Sequence, residues 1–240
     1  MHPPKILAFS FFLAYSCFFR ASQAQAQMLA NPTTVAEQGR AVGGGGFTVS
    51  KIEYDFSRDR DVRRKILHGD VGFGLVHGMD LFGQVGFSFD SDIEDVDLDG
   101  KGFIIGFGPR FAVHQAGSLK VTAYGLLNFT MEEYEGESGT SDIECDVDVT
   151  DLHLGGMATF AANNAVKPYG GLEIILNSDG DSKCKVKVGS ATASDKNDAE
   201  RDDQLNLHAG ANILAGGLIV RPGLILAGET TFTLGIQTFF

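Results

Sequence analysis

The feature that most constrains this chain is a long run in which side chains alternate between apolar and mostly polar. The run extends from Leu119 to Met131, with Val121, Leu127 and Phe129 on the apolar side and residues such as Asn128 on the other. A period of two places successive side chains on opposite faces of a β-strand. The run exceeds the roughly 5–6 residues of a typical soluble strand and matches the roughly 9–11 residues of a tilted membrane-crossing strand.

The same alternation recurs from Gly43 to the end of the chain. It predicts ten strands, near residues 44–56, 65–77, 80–90, 102–113, 119–132, 148–162, 166–177, 203–215, 218–226 and 230–240. Short links alternate with long polar links at 57–64, 91–101, 133–147 and 178–202. Short periplasmic turns and long extracellular loops are typical of membrane barrels. We therefore predict an all-β fold, a transmembrane antiparallel up-and-down β-barrel. The glycine run at 43–46 and Pro222 weaken two strands, so eight strands are an alternative.

The C-terminal residues carry a resemblance to a known family. Apolar side chains occupy alternate positions before an aromatic end, with Thr238 as the exception, in the series Phe232, Leu234, Ile236 and Phe240. This ending resembles the closing strand of bacterial outer-membrane proteins, and the layout is similar to the small OmpA/OmpX-type barrels with one more hairpin. The resemblance implies a location in the outer membrane of a Gram-negative cell envelope. It also implies that the barrel assembly machinery reads Phe240 as part of an assembly signal.

The N-terminus has the features of an export signal. Lys5 precedes an apolar stretch at 6–19, which is too short to span a bilayer, and small residues flank Gln25. We predict a signal peptide at 1–26, a short periplasmic segment at 27–42 and the barrel at 43–240. Lipidation at Cys17 is a less favoured alternative, because the expected Leu or Val is missing before it. No apolar run reaches the roughly 18–20 residues of a spanning helix, which excludes a helical membrane protein.

The chain is acidic, with a formal net charge of -12. This balance argues against nucleic-acid binding, which depends on Lys and Arg meeting phosphates. Acidic residues concentrate in the predicted outer loops, and Asp95, Asp97 and Asp99 match the first half of a calcium loop. The twelfth position, which should be Glu, is Gly106. A solvated acidic rim is the favoured interpretation, and loosely bound divalent cations are the alternative. No other cofactor is predicted.

A basic segment and two cysteines also fall in the predicted outer loops. The basic segment contains Arg58, Arg60, Arg63, Arg64 and Lys65. Arg binds phosphate bidentately, so the segment would pair either with lipopolysaccharide phosphates or with the neighbouring acidic loop. Cys145 and Cys184 lie in two loops on the same side, and the route there is oxidising. We predict a disulfide between them, with two free thiols as the alternative.

Strand parity places several charged and histidine side chains inside the barrel. The predicted lumen charges are Lys51, Glu53, Asp70, Arg110, Lys120, Glu173 and Arg221. Unpaired interior charge is costly, so a hydrogen-bonded plug is favoured over a water-filled pore. His68, His153 and His208 share this parity and lie two residues from Asp70, Asp151 and Asn206. A His base near a carboxylate is the minimum for hydrolysis, although lumen hydrogen bonding is the favoured role.

Three functions follow from these patterns. The favoured one is a non-enzymatic, monomeric barrel with a structural or surface-interaction role, in envelope integrity, adhesion or ligand contact through its acidic loops. A narrow, porin-like small-solute pore is the alternative, and a hydrolase at the rim is less favoured. The expected partners are outer-membrane lipids, lipopolysaccharide and the barrel assembly machinery.

Overall fold

A computed structural model describes residues 29–56, 58–93, 96–138, 141–188, 191–198, 205–226 and 230–240. The strands are β1 (Ala41–Phe56), β2 (Arg58–Val76), β3 (Met79–Ile93), β4 (Val96–Ala116), β5 (Leu119–Ser138), β6 (Ser141–Phe160), β7 (Val166–Val188), β8 (Ala191–Asp198), β9 (Leu205–Ala215), β10 (Leu218–Leu226) and β11 (Thr230–Phe239). In this part of the chain, no helix is long and apolar enough to cross a membrane.

Ten of the strands close into an antiparallel barrel. Neighbours along the chain pair in order, β11 pairs with β1, and β7 pairs with both β6 and β9. The ten predicted strands are confirmed. Glycines allow β1 and β11 to lie close together where the barrel closes. A Cβ on Gly44 or Gly46 would lie 2.5 or 2.6 Å from carbonyl oxygens of β11. Pro222 is tolerated in β10, where the pairing with β9 skips from Val220 to Gly223.

The two faces of the barrel wall differ sharply in polarity. Large apolar side chains face outward and are exposed, as at Val85, Phe107, Leu172 and Ile236. The inward positions are mostly buried and polar, as at Gln84. A water-soluble protein rarely exposes so continuous an apolar surface. The arrangement is that of a barrel with its apolar band in lipid and its polar face in the lumen.

The predicted long outer links are β-structure rather than irregular loops over most of their length, because the strands continue through them. β4 to β7 are 21, 20, 20 and 23 residues long. β7 pairs with β9 over Val166–Ile174 and with the additional strand β8 over Asp181–Val188. We call residues 133–138, 141–149, 179–188 and 191–198 the outer extension. Its strands alternate too, but charged residues occupy the outward positions where the barrel has apolar ones.

The segment before β1 differs from its predicted position. Residues 27–42 were expected to form a periplasmic extension, but residues 29–36, which we call the inner segment, lie inside the barrel. The chain enters at the end with the short turns, where Gly39 N donates a hydrogen bond to Gly74 O over 2.9 Å. It then rises until Leu29 packs against Ile66 and Ile104. The sequence offers no strand or helix pattern here, so only the surrounding wall reveals this placement.

Candidate functional site

The barrel interior contains the densest group of buried polar side chains, and the inner segment lies at its centre. The backbone N–H groups of Leu29 and Ala30 both donate to Gln84 Oε1, each over 3.0 Å. Arg221 Nη2 donates to the carbonyl oxygen of Leu29 over 2.8 Å. The Thr122 hydroxyl donates to Pro32 O over 3.0 Å. Side chains from separate strands thus satisfy the backbone of a segment that has no regular structure of its own.

An ion pair between β3 and β4 clamps the same segment. Arg110 donates to both carboxylate oxygens of Asp80, over 2.9 and 2.7 Å, and both side chains are 0% exposed. Arg110 Nη1 also donates to Asn31 O over 2.5 Å, and Asp80 Oδ2 accepts from Ala36 N over 2.8 Å. The Phe82 ring lies 4.6 Å from the guanidinium carbon. The pair therefore binds two points of the inner segment as well as its own partner.

Asn31 joins the inner segment to the opposite side of the wall. Its Nδ2 lies 3.2 Å from Asn212 Oδ1 on β9 and 2.8 Å from Gln237 Oε1 on β11. Its Oδ1 accepts from the backbone and hydroxyl of Thr33. The inner segment is consequently bound to strands on both sides of the β1–β11 pairing.

A second layer surrounds Glu173 on β7, toward the outer end. Tyr124 OH donates to Oε2 over 2.7 Å, and Asn206 Nδ2 donates to Oε1 over 2.9 Å. His153 Nδ1 and His208 Nε2 lie 3.2 and 3.8 Å from Oε1. All five side chains are buried. Two hydrogen-bond donors and two imidazole rings, from β5, β6 and β9, therefore surround one carboxylate, and we call this group the Glu173 cluster.

Sequence reasoning placed these residues in the lumen but missed how they combine. Glu173 was predicted only as a lumen charge, yet it is the carboxylate that His153 and His208 share. The register explains this, because Gly155 is opposite Glu173 and Gly171 is opposite His208. The two-residue spacing along each strand suggested Asp151 and Asn206 as the partners of His153 and His208. Side chains on neighbouring strands lie closer together than side chains two residues apart on one strand.

A third group of buried contacts lies farther toward the outer end of the barrel. Arg64 Nη2 lies 2.7 Å from Glu132 Oε2, which also accepts from Tyr134 OH over 2.9 Å. Tyr134 packs in turn with Val147 and Val149, all of them buried. Arg64 was predicted to pair with lipopolysaccharide or with the acidic loop next to it. It points inward instead, because it has the same parity as the buried Ile66 and His68 of β2.

The other predicted lumen charges divide into three groups. Arg110, Glu173 and Arg221 are buried on the inner face, and Asp70 and Lys120 are partly buried there. The prediction is wrong for Lys51, which is exposed and shares its outward parity with Phe47 and Val49. The inward positions of β1 are the even-numbered ones, such as Thr48 and Ser50. The side chain of Glu53 lies outside the described residues.

The remaining predicted sites lie in the outer extension and at the C-terminus. Cys145 and Cys184 form a disulfide, and they are directly opposite each other in the β6–β7 register. Phe240 is exposed, and its backbone N–H donates to Ala41 O over 2.9 Å, which ties the chain end to β1.

Of the predicted calcium ligands, Asp99 is exposed, while Asp95 and the side chain of Asp97 lie outside the described part of the chain. A different acidic group lies on the outer extension, where carboxylate oxygens of Glu133, Glu144 and Asp146 come within 4.8 Å of one another. Lysines neutralise it in part, since Lys101 Nζ is 3.4 Å from Glu133 and Lys185 Nζ is 3.9 Å from Glu144.

Comparison with known proteins supports the architecture. No protein-family model and no curated protein sequence matches this chain. The translocator domain of the autotransporter NalP from Neisseria meningitidis is similar over 98% of this chain and 97% of its own, at 12% identity and a TM-score of 0.52. The outer membrane protease OmpT from Escherichia coli is similar over 88% and 100%, at 7% identity and a TM-score of 0.56. With its closed ten-stranded wall and apolar outer surface, the chain has the fold of the bacterial outer-membrane β-barrels and belongs in that membrane.

Proposed function

We propose that this protein is a sealed barrel that anchors a surface structure, the outer extension, in the outer membrane. Its role would be structural or interactive, in envelope integrity, adhesion or ligand contact, rather than the passage of solutes. One observation carries the proposal: the inner segment lies buried within the lumen and is hydrogen-bonded to side chains around the wall. A segment bound on several sides is costly to displace, because each freed buried group loses its partner.

Other buried contacts in the lumen support the same conclusion. The Glu173 cluster and the Arg64–Glu132 pair bridge different strands across the lumen, and the apolar side chains around Tyr134 lie above them. Ions would have to pass a hydrogen-bonded layer and then an apolar one. Both features oppose conduction, because apolar constrictions exclude water and a charge that is already paired attracts a passing ion less strongly.

The outer extension supplies what a surface role requires. It consists of paired strands rather than loose loops, and the Cys145–Cys184 disulfide links two of them. Its outward side chains are charged and exposed, including Glu144 and Lys185. A stiff, charged sheet above a membrane anchor loses little conformational entropy when a partner binds.

Single-channel recording in planar bilayers tests the sealed barrel. We expect the refolded protein to give no conductance steps, with gel mobility before and after boiling as the folding control. A variant that lacks residues 29–36 should give steps if it migrates as a folded barrel. If that variant does not fold, Asn31→Ala with Asn212→Ala loosens the same contacts. Reproducible steps from the unaltered protein would contradict the proposal and favour the narrow pore.

The contact between His153 and Glu173 favours hydrolysis as a second candidate, because an imidazole 3.2 Å from a carboxylate can act as a general base. Two observations weigh against it. Both side chains are 1% exposed or less, and Tyr124 and Asn206 already occupy the carboxylate oxygens. Phospholipid vesicles and a fluorogenic peptide mixture are the substrates to use. Turnover that His153→Ala abolishes, with folded mobility retained, would replace the surface role with catalysis.

A further inference from the structure

A basic patch lies on the outward face of β1 and β2, directly beyond the apolar belt. Its members are Lys51, Arg63 and Lys65, and all three side chains are exposed. The register brings them together, because Lys51 is opposite Arg63 and Val49 is opposite Lys65. Lys65 also contacts Asp90 on β3. These residues continue the outward parity of the apolar belt, so they face the surrounding lipid rather than the lumen.

A row of aromatic rings lies immediately below the basic patch. Phe47 and Phe89 have ring centroids 6.3 Å apart, Phe87 and Phe89 are 6.5 Å apart, and Phe87 and Phe103 are 5.1 Å apart. All four rings point outward and are exposed. The row thus runs from β1 to β4 as a continuous apolar surface on which acyl chains can pack.

The height of the basic patch corresponds to the level of lipid phosphates. On β2, Leu75 is the last apolar residue with the outward parity, just before the short turn. Lys65 has the same parity and lies ten residues from it. That separation is about 33 Å along the strand, or about 25 Å along the barrel axis at a tilt of about 40°. The apolar band of such barrels is also about 25 Å tall. The cations therefore lie at the outer boundary of the hydrocarbon layer.

Basic residues at this height lie on β1, β2 and β4, where Lys101 is also exposed, and the acidic Asp90 of β3 lies among them in contact with Lys65. At the first charged outward position above the belt, β5, β6 and β7 carry Glu133, Asp148 and Asp179 instead. If these charges served only solubility, we would expect basic and acidic residues to be mixed on all of these strands. Charge complementarity favours an anionic occupant over β1 and β2, and the aromatic row requires that this occupant be acylated.

We propose that this sector binds a lipopolysaccharide molecule of the outer leaflet. Its phosphates would contact Lys51, Arg63 and Lys65, and its acyl chains would lie on Phe47 and the other rings of the row. Arg suits this role, because its guanidinium matches a phosphate bidentately. The site is independent of the sealed lumen, so conduction data neither support nor weaken it.

Titration of fluorescent lipid A into the protein in nanodiscs of neutral phospholipid tests the proposal. The decisive variant is Lys51→Ala with Arg63→Ala, and the matched control is Lys185→Ala with Lys187→Ala, which removes equal charge from the outer extension. We expect roughly tenfold weaker binding for the first variant and an unchanged affinity for the control. If the first variant fails to fold by gel mobility, Lys51→Gln with Arg63→Gln takes its place.

Three outcomes would overturn the proposal. The first is equal weakening in both variants, which would indicate a non-specific charge effect. The second is undiminished binding of dephosphorylated lipid A, which would remove the phosphates from recognition. The third is equal affinity for phosphatidylglycerol, lost in the same variant, which would make the site one for any anionic lipid. Phosphate-dependent binding of lipid A that only the β1–β2 variant weakens supports it.

Discussion

The lumen and the outer extension both contain many charged residues, but they hold them in opposite ways. In the lumen, Asp80 and Arg110 are 0% exposed and joined by two short hydrogen bonds. In the outer extension, Glu144 and Lys185 are 3.9 Å apart, and about half of each side chain is exposed. The same residue types are therefore fixed in one region and solvated in the other.

This difference determines what each region can do. A buried charge that loses its partner is left in a low-dielectric environment, so the pairs in the lumen specify one arrangement of wall and inner segment. Exposed pairs contribute little, because water and salt screen them. Their side chains can exchange one partner for another. These are the properties that the proposed sealed lumen and the proposed contact surface require.

The largest expected effect comes from Arg110→Ala. It leaves Asp80 buried without its cation and frees Asn31 O, so we expect a loss of about 3–5 kcal/mol in the free energy of unfolding. Urea unfolding in detergent micelles, followed by gel mobility, measures this. Arg40→Ala is the matched control, because the contact between Arg40 and Glu37 is exposed. Similar unfolding midpoints for the two variants would show that the buried pair stabilises the protein no more than the exposed pair does.

Removal of the disulfide should have the next largest effect. The bond between Cys145 and Cys184 closes a sequence separation of 39 residues, for which about 2–4 kcal/mol is typical. We expect Cys145→Ser with Cys184→Ser to make the outer extension sensitive to protease while the barrel retains its folded mobility. Reduction of the unaltered protein should give the same digestion pattern. Unchanged protease resistance would mean that strand pairing alone stiffens the extension.

Glu173→Gln should lower the free energy of unfolding by less than removal of the disulfide does, because glutamine preserves the shape of the side chain. It removes the charge that Tyr124, Asn206 and the two histidines surround, and about 1–3 kcal/mol is the usual cost of an impaired buried hydrogen bond. The unfolding midpoint in urea reports the loss, and Glu144→Gln on the outer extension is the control. If both substitutions have equally small effects, the Glu173 cluster does not stabilise the lumen.

The smallest effect is expected for Lys185→Ala. Its exposed pair with Glu144 should contribute at most about 1 kcal/mol, and less at high salt. Unfolding midpoints at low and high salt should therefore nearly coincide for the variant and the unaltered protein. A large loss that salt does not reduce would show that the extension holds its charges as the lumen does, and the contrast between the two regions would fail.

Much of the fold could be predicted because side-chain polarity alternates with a period of two residues along each strand of a membrane barrel. The alternation around Leu127 and Phe129 marks a strand, and the same rule located the other nine strands of the ring. The rule failed in the outer extension, where charged residues occupy the outward positions that are apolar in the barrel. Ile143, Val147 and Val149 alternate with acidic residues, so this stretch resembled a loop although its strand parity is intact.

The candidate site was predictable only in part. Parity correctly indicated which face Arg110 and Glu173 occupy, but not their partners, because a partner on another strand depends on register. Asp80 lies 30 residues from Arg110, and His208 lies 35 from Glu173. The side chain of Lys51 was assigned to the wrong face, although it shares its parity with the outward-facing Phe47 and Val49.

By itself, the sequence determined the architecture: an antiparallel barrel of about ten strands, most of its inner and outer faces, the apolar belt and the order of the hairpins. These are local properties, because each depends on polarity at successive positions along one strand. Only the tertiary structure decided that residues 29–36 lie within the lumen, that Tyr124, Asn206 and two histidines meet at Glu173 and that Cys145 is opposite Cys184. Those features depend on closure of the barrel, which brings together residues far apart in the chain and excludes water from the space between them.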